Sequence, residues 1–485
     1  MTIASILELL RNNAALIAVL APFIGAPLCA LMPAGRWASL LAMLAALIAA
    51  IAAGDLALRA LSAGAAPIAA MNALGLRLDG VGAFAGALIA GLATLVSIAM
   101  PAFIGRRASA PYEAGLFLIA LSAWLGLAYA GDLVTLFIAA QISTLALAAL
   151  GALGASADRA AASGAYRQLI AGAIAGALML IGAALVARAS GGTAFDALAE
   201  ARVAAPGAAS IGYGLMIAAF ALLAGVAPLH AWMGGYFSRA ASFATLAFAA
   251  IGAAAQLAAL GRICAYAFAS PELGEGVSRA LLALGLVSVA FGSIQAIGAR
   301  DVRRLAAYAG AAQAGCVLIA FAMGSPAGFS AGLVQIFALS AAALALTMAA
   351  PVPGAITALD GFARRAPFAS IAMTIGALSL MGAPLTIGFL GRWRLIEAGV
   401  GGGWWWAAGA VIVASLSAVF YCGRLIERLY FRRASVAQTN PHDPWRIFTI
   451  PALLCAAAAV LLGVDPAILL AAADASGRFL TGAAP

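Results

Sequence analysis

Lysine is absent from this sequence, and all 26 of its basic residues are arginine. Charged residues of both signs make up only 9% of the 485 positions, whereas hydrophobic residues make up 65%. A soluble domain of this size needs a charged surface, so the composition excludes that class and indicates a polytopic helical membrane protein. The net charge of +9 is spread over short segments between apolar runs. It therefore does not indicate a nucleic-acid-binding protein.

Cysteine and histidine are scarce, with five and two residues respectively. The cysteines share no spacing and lie mostly in apolar runs, which is typical of buried thiols rather than of a metal or disulfide framework. The sequence also lacks a glycine-rich nucleotide-binding fingerprint. We expect no cofactor and no metal site, so redox chemistry would reside in partner proteins. Whether the chain is part of an enzyme stays open at this point.

Apolar runs of about 20 residues, each long enough to span a bilayer core, recur along the whole chain. They predict an all-α fold with about fourteen transmembrane helices. The predicted spans are 14–32, 38–54, 82–104, 113–131, 132–154, 167–189, 208–228, 240–268, 279–299, 304–324, 329–351, 368–398, 404–431 and 446–470.

The arginines predict the orientation of these helices. Loops that follow odd-numbered helices hold fifteen arginines, whereas the other loops and the termini hold seven. Positive charge is enriched in cytoplasmic loops. We therefore expect the odd loops in the cytoplasm of a bacterium and both termini outside its cytoplasmic (inner) membrane.

Two apolar runs carry a glycine and a proline that should interrupt a helix in mid-membrane. The first run, Ile217 to Phe237, contains Gly225, Pro228 and His230, the one histidine within the apolar runs. The second contains Gly382 and Pro384. The tripeptide Ala-Pro-Leu occurs in both, five predicted helices apart. Paired interruptions of this kind predict inverted repeats with a site near the membrane midplane.

Four segments together resemble a known family: GDLVTLF at 131–137, GVAPLHAW at 225–232, DVRRLAAY at 301–308 and GAPLTIGFLGR at 382–392. They are similar to the antiporter-like membrane subunits of respiratory complex I, Mrp-type cation/proton antiporters and hydrogenase-4-like complexes. The resemblance covers about residues 110–470. It implies fourteen helices with broken helices 7 and 12. The implied division is 1–110 for helices 1–3, 111–268 for a first inverted repeat of helices 4–8, 279–431 for a second repeat of helices 9–13, and 446–485 for helix 14.

The resemblance also implies a row of buried charges that carries protons: a glutamate on helix 5, lysines on helices 7 and 8, and a lysine or glutamate on helix 12. At the matching positions this sequence has Gln141, Leu223, Ala254 and Arg392. A GC-rich genome would explain arginine in place of lysine, but it does not explain leucine, alanine and glutamine. The first three positions therefore indicate that the relay is dismantled, and arginine does not release its proton in proteins.

The polar residues left at predicted membrane depth form the candidate proton path: His230, Gln141, Gln256, Arg392 and Glu397, with Gln295 and Gln313 nearby. Imidazole exchanges protons near neutral pH, so His230 is a possible relay. The alternative is a histidine that holds the helix break in shape through a hydrogen bond. Arg394 and Glu397 are spaced to form an i,i+3 ion pair on one helix.

Three functions remain open from the sequence. The first is an antiporter-like subunit of a complex-I-like or hydrogenase-4-like assembly that translocates protons. The second is a non-conducting structural subunit of such an assembly. The third is a subunit of an Mrp-type antiporter or of an inorganic-carbon uptake system. The expected partners are other membrane subunits, the lipid bilayer, and H⁺ or Na⁺, with no nucleic acid.

Overall fold

A computed structural model describes residues 13–33, 35–62, 69–71, 75–105, 107–153, 159–200, 205–240, 242–349, 355–433 and 445–481. The two chain ends, 1–12 and 482–485, lie outside these ranges. The location of the termini therefore stays a prediction.

The described chain is almost entirely helical. Its first part contains α1 (Ala14–Ala30), α2 (Gly35–Ser62), α3 (Gly80–Ile104), α4 (Ala110–Tyr129), α5 (Leu133–Leu153), α6 (Arg159–Ser190), α7 in two segments, α7a (Pro206–Ala224) and α7b (Ala231–Arg239), and α8 (Phe243–Phe268). Its second part contains α9 (Pro271–Gly298), α10 (Val302–Ala322), α11 (Pro326–Ala349), α12 in two segments, α12a (Pro367–Met381) and α12b (Ile387–Gly401), α13 (Trp405–Tyr430), α14 (Trp445–Val464) and α15 (Ala467–Thr481). Short helical turns lie at Phe195–Glu200, Ile356–Leu359 and Phe362–Arg365.

The predicted all-α membrane fold is confirmed, as are the interruptions of helices 7 and 12. Within the described ranges, eleven helices are long and apolar enough to cross a bilayer, and the bent pair α14–α15 would make a twelfth. Two further predicted spans correspond to the shorter apolar helices α1 and α12a. The count of fourteen, the inverted repeats and the division at 110, 268 and 431 stay predictions.

The end of the chain differs from the prediction of one last helix over 446–470. Helix α14 ends at Val464 and α15 begins at Ala467, with an angle of 77° between them. Pro466 lies in the gap. Proline has no backbone N–H and disfavours helical geometry in the residue before it, Asp465, so the helix cannot continue through this point.

A small antiparallel hairpin between α2 and α3 was not predicted. Strand β1 (Ala69–Met71) pairs with β2 (Leu76–Leu78), with Ala70 opposite Arg77. The hairpin is three residues long on each side, too short to show a period-two pattern in an alanine-rich sequence. It matters for the site because it leads directly into Asp79, the N-cap of α3.

Glycine pairs set the distance between the helices that surround the first interruption. A Cβ at Gly182 of α6 would lie 2.7 Å from the carbonyl oxygen of Gly212 in α7a, and a Cβ at Gly212 would lie 2.8 Å from that of Gly182. Gly285 of α9 and Gly315 of α10 meet in the same way. Small residues at such crossings let helix backbones touch, which stabilises helix pairs in a membrane by close packing.

Candidate functional site

The first interruption begins where α7a ends at Gly225. This glycine has left-handed backbone angles (φ 75°, ψ 35°), and the N–H of Val226 donates to the carbonyl of Ala221 at 2.8 Å. That bond from five residues back defines a Schellman end, which requires a left-handed residue and so favours glycine. Glycine suits position 225 because it adopts these left-handed angles without the strain that a Cβ would cause.

Neighbouring side chains bond the backbone groups that this interruption frees. The indole N–H of Trp232 donates to the carbonyl oxygen of Leu222 at 2.9 Å. The N–H of Ala227 donates to the Ser288 hydroxyl of α9 at 3.0 Å. An irregular backbone at membrane depth needs such partners, because lipid offers none. Specific side-chain hydrogen bonds therefore stabilise the interruption.

His230 lies just before α7b and is buried, with 5% of its surface exposed. Its Nε2 atom is 2.5 Å from the side-chain oxygen of Gln295, and its ring meets Tyr308 edge-on at 6.1 Å between centroids. Its Nδ1 atom is buried with no hydrogen-bond partner among the described residues. A crevice of about 300 Å³, bordered by Pro228 and Tyr308, opens beside the ring. This arrangement can hold a water molecule against the imidazole.

The positions of the implied proton relay in the first half are apolar and buried. Leu223 is 6% exposed and Ala254 is 1% exposed, and both belong to the main hydrophobic core. A side chain that can neither ionise nor form a hydrogen bond cannot pass a proton. At these two positions the structure offers no step of a relay.

The two glutamines predicted for the first half do not meet His230. Gln256 is buried and its amide N–H donates to the Ser143 hydroxyl of α5 at 3.3 Å. The side chain of Gln141 lies against Gly176 of α6, where a Cβ would come within 2.7 Å of its amide. Within the described residues, neither amide is hydrogen-bonded to the other or to the imidazole. Gln141, Gln256 and His230 therefore do not form one hydrogen-bonded chain among the described residues.

The second interruption repeats the backbone geometry of the first. Helix α12a ends at Gly382 (φ 76°, ψ 40°), and the N–H of Ala383 donates to the carbonyl of Leu378 at 2.9 Å. Thr386 caps the start of α12b, and its hydroxyl accepts from the N–H of Phe389. In between, Leu385 has a positive φ of 66°, a strained value for leucine.

A buried guanidinium distinguishes this second interruption. Arg392 is 4% exposed, and it donates to the carbonyl oxygen of Leu380 at the end of α12a. Its other nitrogens, Nε and Nη1, have no hydrogen-bond partner among the described residues, and no described carboxylate pairs with it. The neighbouring Gly391 packs on Gln335, whose amide N–H donates to the side-chain oxygen of Gln313 at 2.7 Å. The second half therefore has a set of buried polar groups, Arg392, Gln313 and Gln335, which we call the polar cluster.

Glu397 does not belong to this cluster, and its place in a proton path stays a prediction. Its side chain is 59% exposed, and it pairs with Arg394 at 3.5 Å. Arg394 also pairs with Asp474 of α15. Arg394 and Glu397, three residues apart, lie on the outer face of α12b, whereas Arg392 lies on its buried face. This group is an ion-pair network that ties α12b to α15.

The sequence pattern missed a buried ion pair that joins the start of α3 to the first half. Arg262 of α8 pairs with Asp79, and both side chains are at most 2% exposed. Asp79 also accepts from the N–H of Gly82 at 2.8 Å, and Arg262 donates to the carbonyl of Ala130 at 2.8 Å. The available signals were an aspartate just before an apolar helix, typical of an N-cap, and an arginine inside an apolar run.

The starts of α5 and α10 also share a local geometry. Asp132 and Asp301 each cap the following helix, with bonds of 2.8 Å from the N–H of Thr135 and 2.7 Å from the N–H of Arg304. Each aspartate forms an isolated antiparallel bridge, to Ala194 and Ala355 respectively. These matches support the predicted repeats.

Comparison with known proteins agrees with this architecture. The model of the family described as "NADH:quinone oxidoreductase/Mrp antiporter, TM" matches residues 130–417. This chain belongs to that family. It is an antiporter-like membrane subunit, and multi-subunit membrane complexes are the setting of its structural neighbours.

Among curated relatives of this antiporter-like subunit, the NADH-quinone oxidoreductase subunit N 2 of Solidesulfovibrio magneticus is 30% identical over 440 residues, covering 86% of this chain and 92% of the relative. Subunit N of Cereibacter sphaeroides is 31% identical over 428 residues, covering 84% and 91%. By fold, the chain is similar to a chain of the archaeal membrane-bound sulfane sulfur reductase (TM-score 0.86, 22% identity, 97% and 98% covered). It is also similar to a chain of the Mrp complex from Dietzia (TM-score 0.85, 18% identity, 97% and 98% covered).

Proposed function

We propose that this antiporter-like subunit belongs to the membrane arm of a redox-linked complex of the NADH-quinone oxidoreductase type. In this proposal its first half, from α4 to α8, serves as architecture and conducts no protons. The curated relatives named subunit N support the kind of parent complex. The proposed location is a bacterial cytoplasmic membrane with both termini outside, as the arginine distribution favours.

The observation that carries the structural role is the burial of Leu223 and Ala254 where the family resemblance implies lysines. Helices α5 and α7a contain no charged residue at all. The buried charge of α8 is Arg262, and it is held by Asp79. A relay needs groups that change protonation, and the first half has none at the family's positions on α5, α7a and α8. Its buried imidazole, His230, is bonded to Gln295 of α9 and, among the described residues, to neither glutamine of the first half. The preserved helix break of the first half is then explained by packing and shape.

A second candidate function is proton transfer confined to the second half. The cluster of Arg392, Gln313 and Gln335 favours it, because buried polar atoms without protein partners hold internal water. Arg392 would act there as a fixed charge that orients this water, since arginine keeps its proton. A coupling ion of H⁺ or Na⁺ fits this candidate equally.

The test is proton uptake by the reconstituted parent complex in liposomes, measured per electron transferred. We expect His230→Ala to leave this ratio unchanged, with Ser417→Ala on the outer face of α13 as the matched control. If His230→Ala removed uptake while the complex stayed assembled and redox-active, the structural role of the first half would be overturned. Arg392→Ala in the same assay decides the second candidate: an unchanged ratio would exclude it.

A further inference from the structure

An apolar groove lies between the last turns of α2, the first turns of α3 and helix α15. Its volume is about 400 Å³, and its walls include Leu58, Phe84 and Leu469. A volume of this size is in the range of ligand pockets. Its lining is apolar, so it suits a hydrocarbon chain better than water.

A second, polar pocket of about 330 Å³ lies where several helices end. It is bordered by Ala269 after α8, Gly324 after α10, and Thr481 at the end of α15. Arg77 and Tyr266 contribute its polar groups. Because helix ends mark the membrane surface, this pocket lies at head-group depth. The apolar groove lies further along α15, from Ile468 to Ser476.

Two separate segments connect the groove to the pocket. On α15, Ser476 lines the groove and Leu480 lines the pocket, four residues apart on one helix face. On the other side, Gly80 lines the groove and Arg77, three residues earlier, lines the pocket. The guanidinium of Arg77 also lies 5.8 Å from the ring centre of Phe479. The two cavities are therefore neighbours in one wall.

A positive and a negative side chain lie together at the edge of the pocket. Arg77 lines the pocket and pairs at 2.6 Å with Asp196, which lies beside the pocket and has a side chain that is 70% exposed. The Nε atom of Arg77 also lies 3.8 Å from the buried Asp79 carboxylate. A guanidinium binds phosphate through parallel hydrogen bonds, and an exposed carboxylate binds an ammonium group. This pair complements a head group that carries a phosphate and an amine.

We propose that this wall is a binding site for one phospholipid with a zwitterionic amine head group, of the phosphatidylethanolamine class. One acyl chain fills the apolar groove, the phosphate contacts Arg77, and the ammonium contacts Asp196. The lipid seals α15 against α2 and α3. The site is independent of whether the chain conducts protons.

Gly54 offers a direct way to close the groove. It lines the groove, and a Cβ added there has no atom within 4 Å, so leucine would project into the space without displacing the backbone. Gly91 of α3 has the same freedom outside the groove and provides the matched control. The full-length chain is purified from membranes in mild detergent with any bound subunits, and retained phospholipid is counted by native mass spectrometry.

We expect the wild type and Gly91→Leu to retain phosphatidylethanolamine in preference to phosphatidylglycerol, and Gly54→Leu to retain roughly tenfold less, the change that 1.4 kcal/mol of lost affinity gives. Asp196→Asn should keep a lipid but lose the preference for phosphatidylethanolamine. Equal retention by Gly54→Leu, displacement of the lipid by soluble phosphoethanolamine, or no preference in the wild type would overturn the proposal. Loss of a bound subunit in Gly54→Leu with lipid unchanged would assign the groove to a protein partner and would overturn it as well.

Discussion

The two interrupted helices end their first segments with the same backbone geometry but differ in the side chains that lie at the break. Gly225 and Gly382 end their first segments with the same left-handed geometry and the same hydrogen bond from five residues back. At the first break the neutral indole of Trp232 donates to the carbonyl of Leu222, three residues before the glycine. At the second, the guanidinium of Arg392 donates to the carbonyl of Leu380, two residues before the glycine. The comparison teaches that a half of this fold can keep its interrupted helix without a buried charge beside the break.

The largest expected effect contrasts the two buried arginines. Arg262→Met removes the closer of two cations from the buried Asp79 carboxylate and leaves Arg77 at 3.8 Å. Breaking a buried pair costs about 3–5 kcal/mol of unfolding free energy, and we expect the lower end of that range. Arg392→Met removes a guanidinium that pairs with no described carboxylate, so we expect about 0–1 kcal/mol of change in either direction. Denaturant unfolding in detergent micelles measures both.

Asp79→Asn combined with Arg262→Met is the control for this contrast, because it removes both charges and should recover much of the loss. Equal destabilisation by the two arginine variants would show that Arg392 has a partner that this account has not recognised.

The next effect tests how tightly the second interruption folds on itself. A Cβ at Gly388 would overlap the backbone carbonyl of Ser379, so Gly388→Ala must push α12b away from α12a. We expect a loss of about 1–3 kcal/mol, the range for overpacking. The matching position of the first interruption, six residues after its glycine, is the exposed Ala231. Ala231→Gly should change the unfolding free energy by less than about 1 kcal/mol. A tolerated Gly388→Ala would contradict the close approach.

The smallest expected change in stability comes from backbone strain at Leu385 in the second interruption. Leu385 has φ 66°, whereas no positive φ occurs at Pro228, the matching position of the first interruption. Leu385→Gly should raise stability by about 0.5–1 kcal/mol, because relief of strain exceeds the added freedom of the unfolded chain. Leu416→Gly, an exposed mid-helix control in α13, should lower stability by about 1 kcal/mol. A thermal shift in the same direction for both variants would argue against strain at Leu385.

Much of the fold could be predicted because glycine and proline act locally. The glycines at 225 and 382 mark the ends of α7a and α12a in sequence as in structure. The repeated Ala-Pro-Leu tripeptide misled slightly: Pro228 lies three residues after its glycine and Pro384 two, so the glycines are the equivalent positions. The bend at Pro466 follows the same local rule but lies inside one apolar run, which hid it.

The candidate site was harder to predict because its contacts join distant segments. The pairing of Asp79 with Arg262 spans 183 residues, and no single-sequence pattern links them. The exposure of Glu397 depends on which face of α12b meets α11. By contrast, the absence of a relay followed from residue identity at Leu223 and Ala254, since apolar side chains have no protonation chemistry wherever they pack.

The measurement that tests the account most directly is proton uptake per electron in liposomes for the parent complex with Gln141→Leu and Gln256→Leu combined. These changes remove the amides at the family's helix 5 position and on α8. A non-conducting first half predicts an unchanged ratio with full assembly and redox activity. A marked fall in the ratio, with assembly and redox activity intact, would contradict the account.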